Sequence, residues 1–211
     1  MLLLLACSDK GTEPEVFDAA KVCPESGRGT FVDERDGQVY KYTTIGNQVW
    51  MAQNMNFYID GVEVVEPSTG KTEKASSSCD SEEDNCAENG WSYNWYAANY
   101  ACPTGWHLPS QEEWETLIKK MGGDCARLRS TTGGWKELNR GEGVSATDDC
   151  GFDLKPSSGR YDGGFSANMW AQNVDQENVI YVQIKSYAQE IEFSRYRRDL
   201  RFASIRCLKN K

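Results

Sequence analysis

The sequence predicts an α+β domain with two helices, a twisted antiparallel sheet and long disulfide-stapled loops. Three observations carry this. The first is a helix from about Gln111 to Met121 with both ends marked. Ser110 is a good N-cap and Glu113, three residues on, completes a capping box. Trp114, Leu117, Ile118 and Met121 recur at i, i+3, i+4, i+7, so one face is apolar. Glu112, Glu113 and Glu115 lie near its start and Lys119 and Lys120 near its end, as the helix dipole favours, and Gly122-Gly123 supplies the stop. The second is period-two alternation near the C-terminus. Val182, Ile184 and Ser186 alternate with Gln183 and Lys185, and Ile191 and Phe193 with Glu190, Glu192 and Ser194, as in antiparallel strands with one wet face. The third is eight cysteines with a single histidine. No CxxC spacing occurs, so disulfides in an oxidising compartment are expected rather than a zinc site.

The other elements follow in order. Val39 to Thr44 and Gln48 to Ala52 read as strands joined by a type II′ turn at Gly46-Asn47. Phe57 to Val65 holds another short strand. Glu66 to Gly90 is poor in apolar residues and reads as a surface loop, in which Cys79 and Cys86 bracket an acidic stretch and are expected to pair. Closing so short a loop contributes about 2–3 kcal/mol in the chain-entropy view. Ser92 to Tyr100 predicts the other helix, with Tyr93, Tyr96, Ala97 and Tyr100 on one face. Pro103 and Pro109 bound an extended piece at Gly105 to Leu108. After a short turn at Cys125, residues Thr131 to Asp149 form a glycine-rich loop, and the flanking Cys125 and Cys150 are the natural third pair. Strands are predicted at Met169 to Asn173, Val179 to Ser186, Glu190 to Arg195 and Phe202 to Leu208.

At 211 residues the chain fits one large domain with a tail. A net charge of −9 argues against nucleic acid and against an anionic membrane surface. Leu2 to Leu5 is too short an apolar run to span a bilayer. Leu4-Leu5-Ala6-Cys7 matches a lipobox, which predicts a lipid on Cys7 and a signal peptide of which residues 1–7 are the remnant. Residues 8–29 are polar, carry Pro14 and Pro24, and read as a tether to a domain at 30–211. Cys23 lies in that tether and is expected to stay unpaired. The acidic groups Asp80, Glu82, Glu83, Asp84 and Asp148, Asp149, Asp153 lack calcium-loop spacing and read as solvated loops. No metal or cofactor is expected. His107 has no apparent nucleophile or second acid and reads as structural.

Several separated stretches resemble one family in order: DGQVYKYTTIGNQVWMAQNMNF at 36–57, YNWYAA at 93–98, CPTGWHLPSQEEWETLIKKMGG at 102–123, TDDCGFDLKPSSGRYDGGF at 147–165 and SIRCLK at 204–209. These resemble the Fibrobacter succinogenes major paralogous domain, found in bacterial surface and secreted proteins. More distantly, WHLPSQEEW and IRC are similar to the C-type-lectin-like fold and to the formylglycine-generating enzymes that share it. That likeness implies two helices and a disulfide from the end of the first helix to the last strand, here Cys102 to Cys207. It does not carry over the enzymes' activity: they bind copper through two cysteines near the C-terminal end, and Cys207 is the only cysteine after Cys150.

The resemblance, through bacteria that attach to plant fibre, implies a non-catalytic, lipid-anchored outer-membrane or cell-surface protein that binds a polysaccharide or another envelope component. A structural envelope protein without a small ligand is the alternative, and a diverged enzyme the third reading. In a lectin-like fold the loops after the second helix gather at one end. That predicts a ligand face of Trp135, Arg160, Tyr161, Asp162 and Trp170. Flat aromatic faces would stack on a sugar and the polar groups would read its hydroxyls. The competing expectation is that both tryptophans fold inward over the sheet. Trp91 and Trp95 are further aromatics near polar loops, with Trp95, Trp106 and Trp114 expected in the core.

Overall fold

The structure is a computed structural model that describes residues 16–66, 69–79, 86–137, 145–157, 163–172, 178–197 and 201–211. In chain order the elements are α1 (Ala19–Val22), a 3-10 turn (Glu25–Gly27), β1 (Gly29–Val32), β2 (Val39–Ile45), β3 (Gln48–Met51), β4 (Val62–Val65), β5 (Thr72–Ala75) and β6 (Ser77–Ser78). Then follow α2 (Cys86–Asn89), β7 (Ser92–Asn94), α3 (Trp95–Ala101), β8 (Trp106–His107), α4 (Gln111–Lys120) and a second 3-10 turn (Cys125–Arg127). The chain closes with β9 (Ser166–Ala171), β10 (Asn178–Lys185), β11 (Ile191–Arg197), β12 (Phe202–Ala203) and β13 (Leu208–Lys209). The strands form a five-stranded sheet in the order β1-β2-β3-β13-β8, two three-stranded sheets (β11-β10-β9 and β12-β7-β6) and the hairpin β4-β5, with antiparallel pairing throughout. This is the mixed α+β architecture that the sequence predicts.

The helix α4 forms as its sequence dictates. Ser110 accepts from the Glu113 amide, and the Glu113 carboxylate accepts from the Ser110 amide at 2.9 Å. Trp114, Leu117, Ile118 and Met121 are all buried. The β2–β3 turn also matches: Ile45 pairs with Gln48, Gly46 takes φ 61°, and Asn47 keeps a negative φ, as type II′ requires.

Other elements depart from expectation. The predicted helix at Ser92 starts later. Asn94 caps it by accepting from the Ala97 amide at 2.9 Å, and Ser92–Asn94 pair as strand β7 instead. The propensity of Tyr93 suits a strand, and its fully buried ring is held there. Part of the predicted 66–90 loop is strand β5, whose partner β4 pairs Val62 with Ala75. The C-terminal strands do not show a single wet face. β9 is buried at every position because it runs between two cores. Ala167, Met169 and Ala171, with Ile180, Val182 and Ile184 of β10, face the core under α4. Trp170, Val179 and Tyr181 face the core under α3.

The disulfides correct one expectation. Cys79–Cys86 and Cys102–Cys207 are bonded as expected. Cys150 is bonded to Cys23, and Cys125 is a buried free thiol. Residues 16–29, expected in a tether, are folded onto the domain. Phe17, Ala19 and Val22 pack against the α4 core, and the Gly46 amide donates to Val22 O at 2.7 Å. The neighbouring hairpin reaches the same place, since Thr43 Oγ1 donates to Cys150 O at 2.7 Å. Sequence proximity favours Cys125 for Cys150, but α1 and β2 deliver Cys23 to it.

Asp148 and Asp153 hold a tight loop, with left-handed φ of 46° and 50°. Asp148 Oδ1 accepts from the Asp153 amide at 2.8 Å. Burial pushes the Asp148 carboxyl up from its usual 3.8 to about 6, opposed in part by the Asp153 amide and by Arg206. Between those pH values the native state binds more protons than the unfolded chain. This carboxyl therefore stabilises most below pH 3.8, and that contribution is lost as pH rises through 6. Asp148→Asn keeps an acceptor and tolerates left-handed backbone. It should relieve about 1–2 kcal/mol of destabilisation at pH 7 and little at pH 4. Urea unfolding at both pH values checks this, and equal pH dependence in variant and wild type contradicts it.

Candidate functional site

The residues between β3 and β4 do not form a strand, yet they are firmly placed. Met55 N donates to Ile205 O at 2.8 Å, Asn56 N to Tyr40 Oη at 3.0 Å, and Tyr93 Oη to Phe57 O at 2.8 Å. Asn54 Nδ2 donates to Asn89 O at 2.9 Å. These bonds leave Tyr58 facing outward and Phe57 partly buried against the core under α3. Trp91 is brought beside them by Gly90. Gly90 has φ 79°, and a Cβ there would meet Met55 O at 2.6 Å. Only glycine lets the chain pass this closely, and it allows Trp91 N to donate to Met55 O at 3.1 Å.

The result is a surface cleft of about 420 Å³ lined by Asp36, Gln38, Asn56, Phe57, Tyr58 and Trp91. Tyr58 is 55% exposed, and its ring centroid lies 4.9 Å from that of Trp91. Asp36 is preset on the rim, because Gln38 donates to it from its amide at 3.0 Å and from Nε2 at 2.6 Å. Behind the cleft, Arg35 stacks 3.9 Å over the Phe57 ring and donates to Tyr100 O and Ala101 O at the end of α3. Asp33 anchors Arg35. Burial alone would raise the Asp33 carboxyl, but the bonds from Arg35 outweigh it and hold it below its usual range. A second hollow of about 260 Å³ adjoins the first, sharing Gln38 and Asn56 and adding Gln53 and Asn54. Apolar ring faces beside carboxylate and amide groups can stack a flat apolar ligand face and bond its hydroxyls.

Both tryptophans of the ligand face expected from the sequence are turned into the cores. Trp170 is fully buried. Its Nε1 donates to Tyr93 O at 2.7 Å, and its ring meets Trp95 and Tyr181 edge-on. Trp135 is half-buried against the other core, donates to Leu154 O at 3.2 Å, and has Arg129 over its ring. The inward expectation holds for both. The reason is that glycine-rich loops and a sheet flanked by two cores need large side chains to seal them. Cys7, Arg160, Tyr161 and Asp162 lie outside the described residues. So does the Asp80–Asp84 acidic stretch. In the other acidic group, Asp149 pairs with Arg127 at 3.2 Å and Asp148 holds its own loop, and no three metal-ligating side chains converge among the described residues. His107 is held between Asn210 Oδ1 at 2.7 Å and Glu113 Oε2 at 3.0 Å. Of the cleft residues, sequence reasoning marked only Trp91 as an aromatic near polar loops. The Gly90-Trp91 step and the NMNFY run were the further signals.

The fold and cleft define a disulfide-stapled α+β domain with an aromatic, amide-lined surface cleft. The chain belongs to the family of the Fibrobacter succinogenes major domain, whose family model it matches over residues 43–209. No curated protein and no solved structure matches it. No helix among the described residues is long and apolar enough to cross a membrane.

Proposed function

We propose that this is a non-catalytic carbohydrate-binding domain displayed on the bacterial surface, with Tyr58 and Trp91 as the stacking platform. The supporting observation is the exposed Tyr58 ring tilted against the partly buried Trp91, beside a preset Asp36 carboxylate. Pyranose rings carry an apolar face and a rim of hydroxyls, and this cleft offers a counterpart to each. The non-catalytic reading is supported by His107, whose two ring nitrogens are taken up by Asn210 and Glu113. We read the topology as C-type-lectin-like, on the strength of α3 followed by α4 and the Cys102–Cys207 bond from the end of α3 to the segment before β13. The domain would be held at the outer membrane by a lipid on Cys7. Labelling of the precursor with a palmitate analogue, abolished by Cys7→Ala, checks the anchor.

A neutral glycan array and pull-down on insoluble plant polysaccharide test the cleft. Tyr58→Ala and Trp91→Ala should each weaken binding about tenfold or more, the cost typical of losing a central aromatic contact. Tyr58→Ala should leave the melting curve unchanged, since its ring is exposed. Trp170→Ala should instead lower stability, as a large-to-small core change does. Absence of any glycan ligand would favour the structural envelope reading, and binding that survives both cleft changes would place the site elsewhere.

A further inference from the structure

A second cleft lies at the other end of β7. Trp91 precedes this strand and Asn94 ends it, so the two clefts are about 10 Å apart along the chain at the rise of an extended strand. The second cleft, of about 400 Å³, is walled by Thr72, Glu73 and Lys74 of β5, Tyr96 of α3, and Arg201 and Phe202, with β12 paired to β7 through Phe202 and Asn94. Its chemistry differs from that of the first. Arg201 lies with its guanidinium 4.2 Å over Tyr196 and 5.5 Å from Tyr181, rings that are themselves packed edge-on. Stacking fixes the plane of the guanidinium and leaves its N–H edge for a ligand. Lys74 lies on the same strand as Thr72 and Glu73, and its carbonyl accepts from Asn94 Nδ2 at 2.7 Å. It sits opposite Glu63 in the β4–β5 register, yet neither Lys74 nor Arg201 has a carboxylate within 4 Å among the described residues. Phe202 is 42% exposed and follows Arg201 in the lining.

We propose that this cleft binds an acidic saccharide, a uronic-acid unit of a polysaccharide. Its carboxylate pairs with the Arg201 fork. Its apolar ring face lies on Phe202, and Glu73, the carboxylate on the rim, accepts from hydroxyls. Planar bidentate pairing is what guanidinium offers a carboxylate, and a pyranose carries that group beside its apolar face. The proposal shares with the preceding one only the saccharide class. The residues are disjoint, so either can fail alone. The chain's net charge of −9 strengthens the test, because the protein as a whole repels polyanions and retention on one must come from a local site.

Native affinity electrophoresis in gels containing polygalacturonate, or the same polymer fully methyl-esterified, decides it. The wild type should be retarded by the free acid and not by the ester. Arg201→Ala and Phe202→Ala should each raise the apparent Kd about tenfold or more, with Arg201→Lys between Arg201→Ala and wild type. Tyr58→Ala and Trp91→Ala should leave this retardation intact. Arg201 is exposed, and an unchanged melting curve confirms that its variants are folded. No retardation of the wild type, equal retardation by the ester, or retardation of Arg201→Ala equal to wild type overturns the proposal. Retardation that disappears in Trp91→Ala would move the acidic ligand to the first cleft and overturn it too.

Discussion

Replacing Arg206 by Ala should lower stability by about 3–5 kcal/mol, because it strips the donors from several buried oxygens at once. Arg206 is 1% exposed. Its guanidinium donates to Asn54 Oδ1 at 2.7 and 3.1 Å, to Met51 O at 3.4 Å, to Asp153 O at 3.3 Å and to Phe152 O. It also lies 4.7 Å over the Phe152 ring. One side chain therefore ties the end of β3, the segment that leads into the aromatic cleft, and the Asp148–Asp153 loop. Burial lowers its pKa to about 10, so it remains cationic at neutral pH. Its removal leaves buried carbonyls without a donor, each costing about 1–3 kcal/mol before relaxation. Arg206→Lys should rescue little, because one ammonium cannot replace a fork bonded to four residues. Loss of the Arg206 charge should also raise the Asp148 pKa further, since that cation now opposes the effect of burial there. Urea unfolding followed by tryptophan fluorescence measures the change. A midpoint for Arg206→Ala within error of wild type would show that the network is not stabilising.

Arg206 illustrates what the sequence could and could not convey. The SIRCLK stretch marked the family, yet nothing local distinguishes an arginine buried among carbonyls from one on the surface. Arg129, 2% exposed, is hidden in the same way. Where the determinants are local, the reading succeeds. The α4 helix, its capping box and its buried stripe depend on neighbours within one or two turns, and the Gly46-Asn47 turn on two residues. Where long-range packing decides, it falls short. The alternation read at Val182–Ser186 of β10 is real, but a strand between two cores buries both faces, and no single-strand pattern reports the second core. The candidate site is harder still. Its lining comes from Asp36, Gln38, residues 56–58 and Trp91, which the Gly90 close approach and the Tyr93–Phe57, Asn56–Tyr40 and Gln38–Asn56 bonds bring together. Trp170 and Trp135, chosen for their residue type and loop position, serve the cores instead.

The Cys23–Cys150 bond should carry the other large effect. It spans 127 residues, and closing a loop of that length constrains the unfolded chain by about 5 kcal/mol in the entropic view. It overlaps the span of Cys102–Cys207, so the two contributions do not add, and the expected loss for the Cys23→Ser, Cys150→Ser double variant is about 3–5 kcal/mol. Both cysteines must be changed. A lone Cys150 thiol would remain in the same buried cluster as Cys125 and could re-pair with it. Cys125→Ala should behave differently. It removes one sulfur from a packed core and breaks no cross-link, for an expected cost near 1 kcal/mol. Burial also pushes the Cys125 thiol up to about 12, which leaves almost no thiolate at neutral pH to react. Alkylation of the native protein should therefore leave Cys125 unmodified, and alkylation in denaturant should label it without reduction. Non-reducing peptide mapping completes the test. Recovery of a Cys125–Cys150 peptide, or loss of a disulfide on Cys125→Ala, would overturn the pairing. It would return Cys23 and the segment around it to a tether rather than a folded edge of the domain.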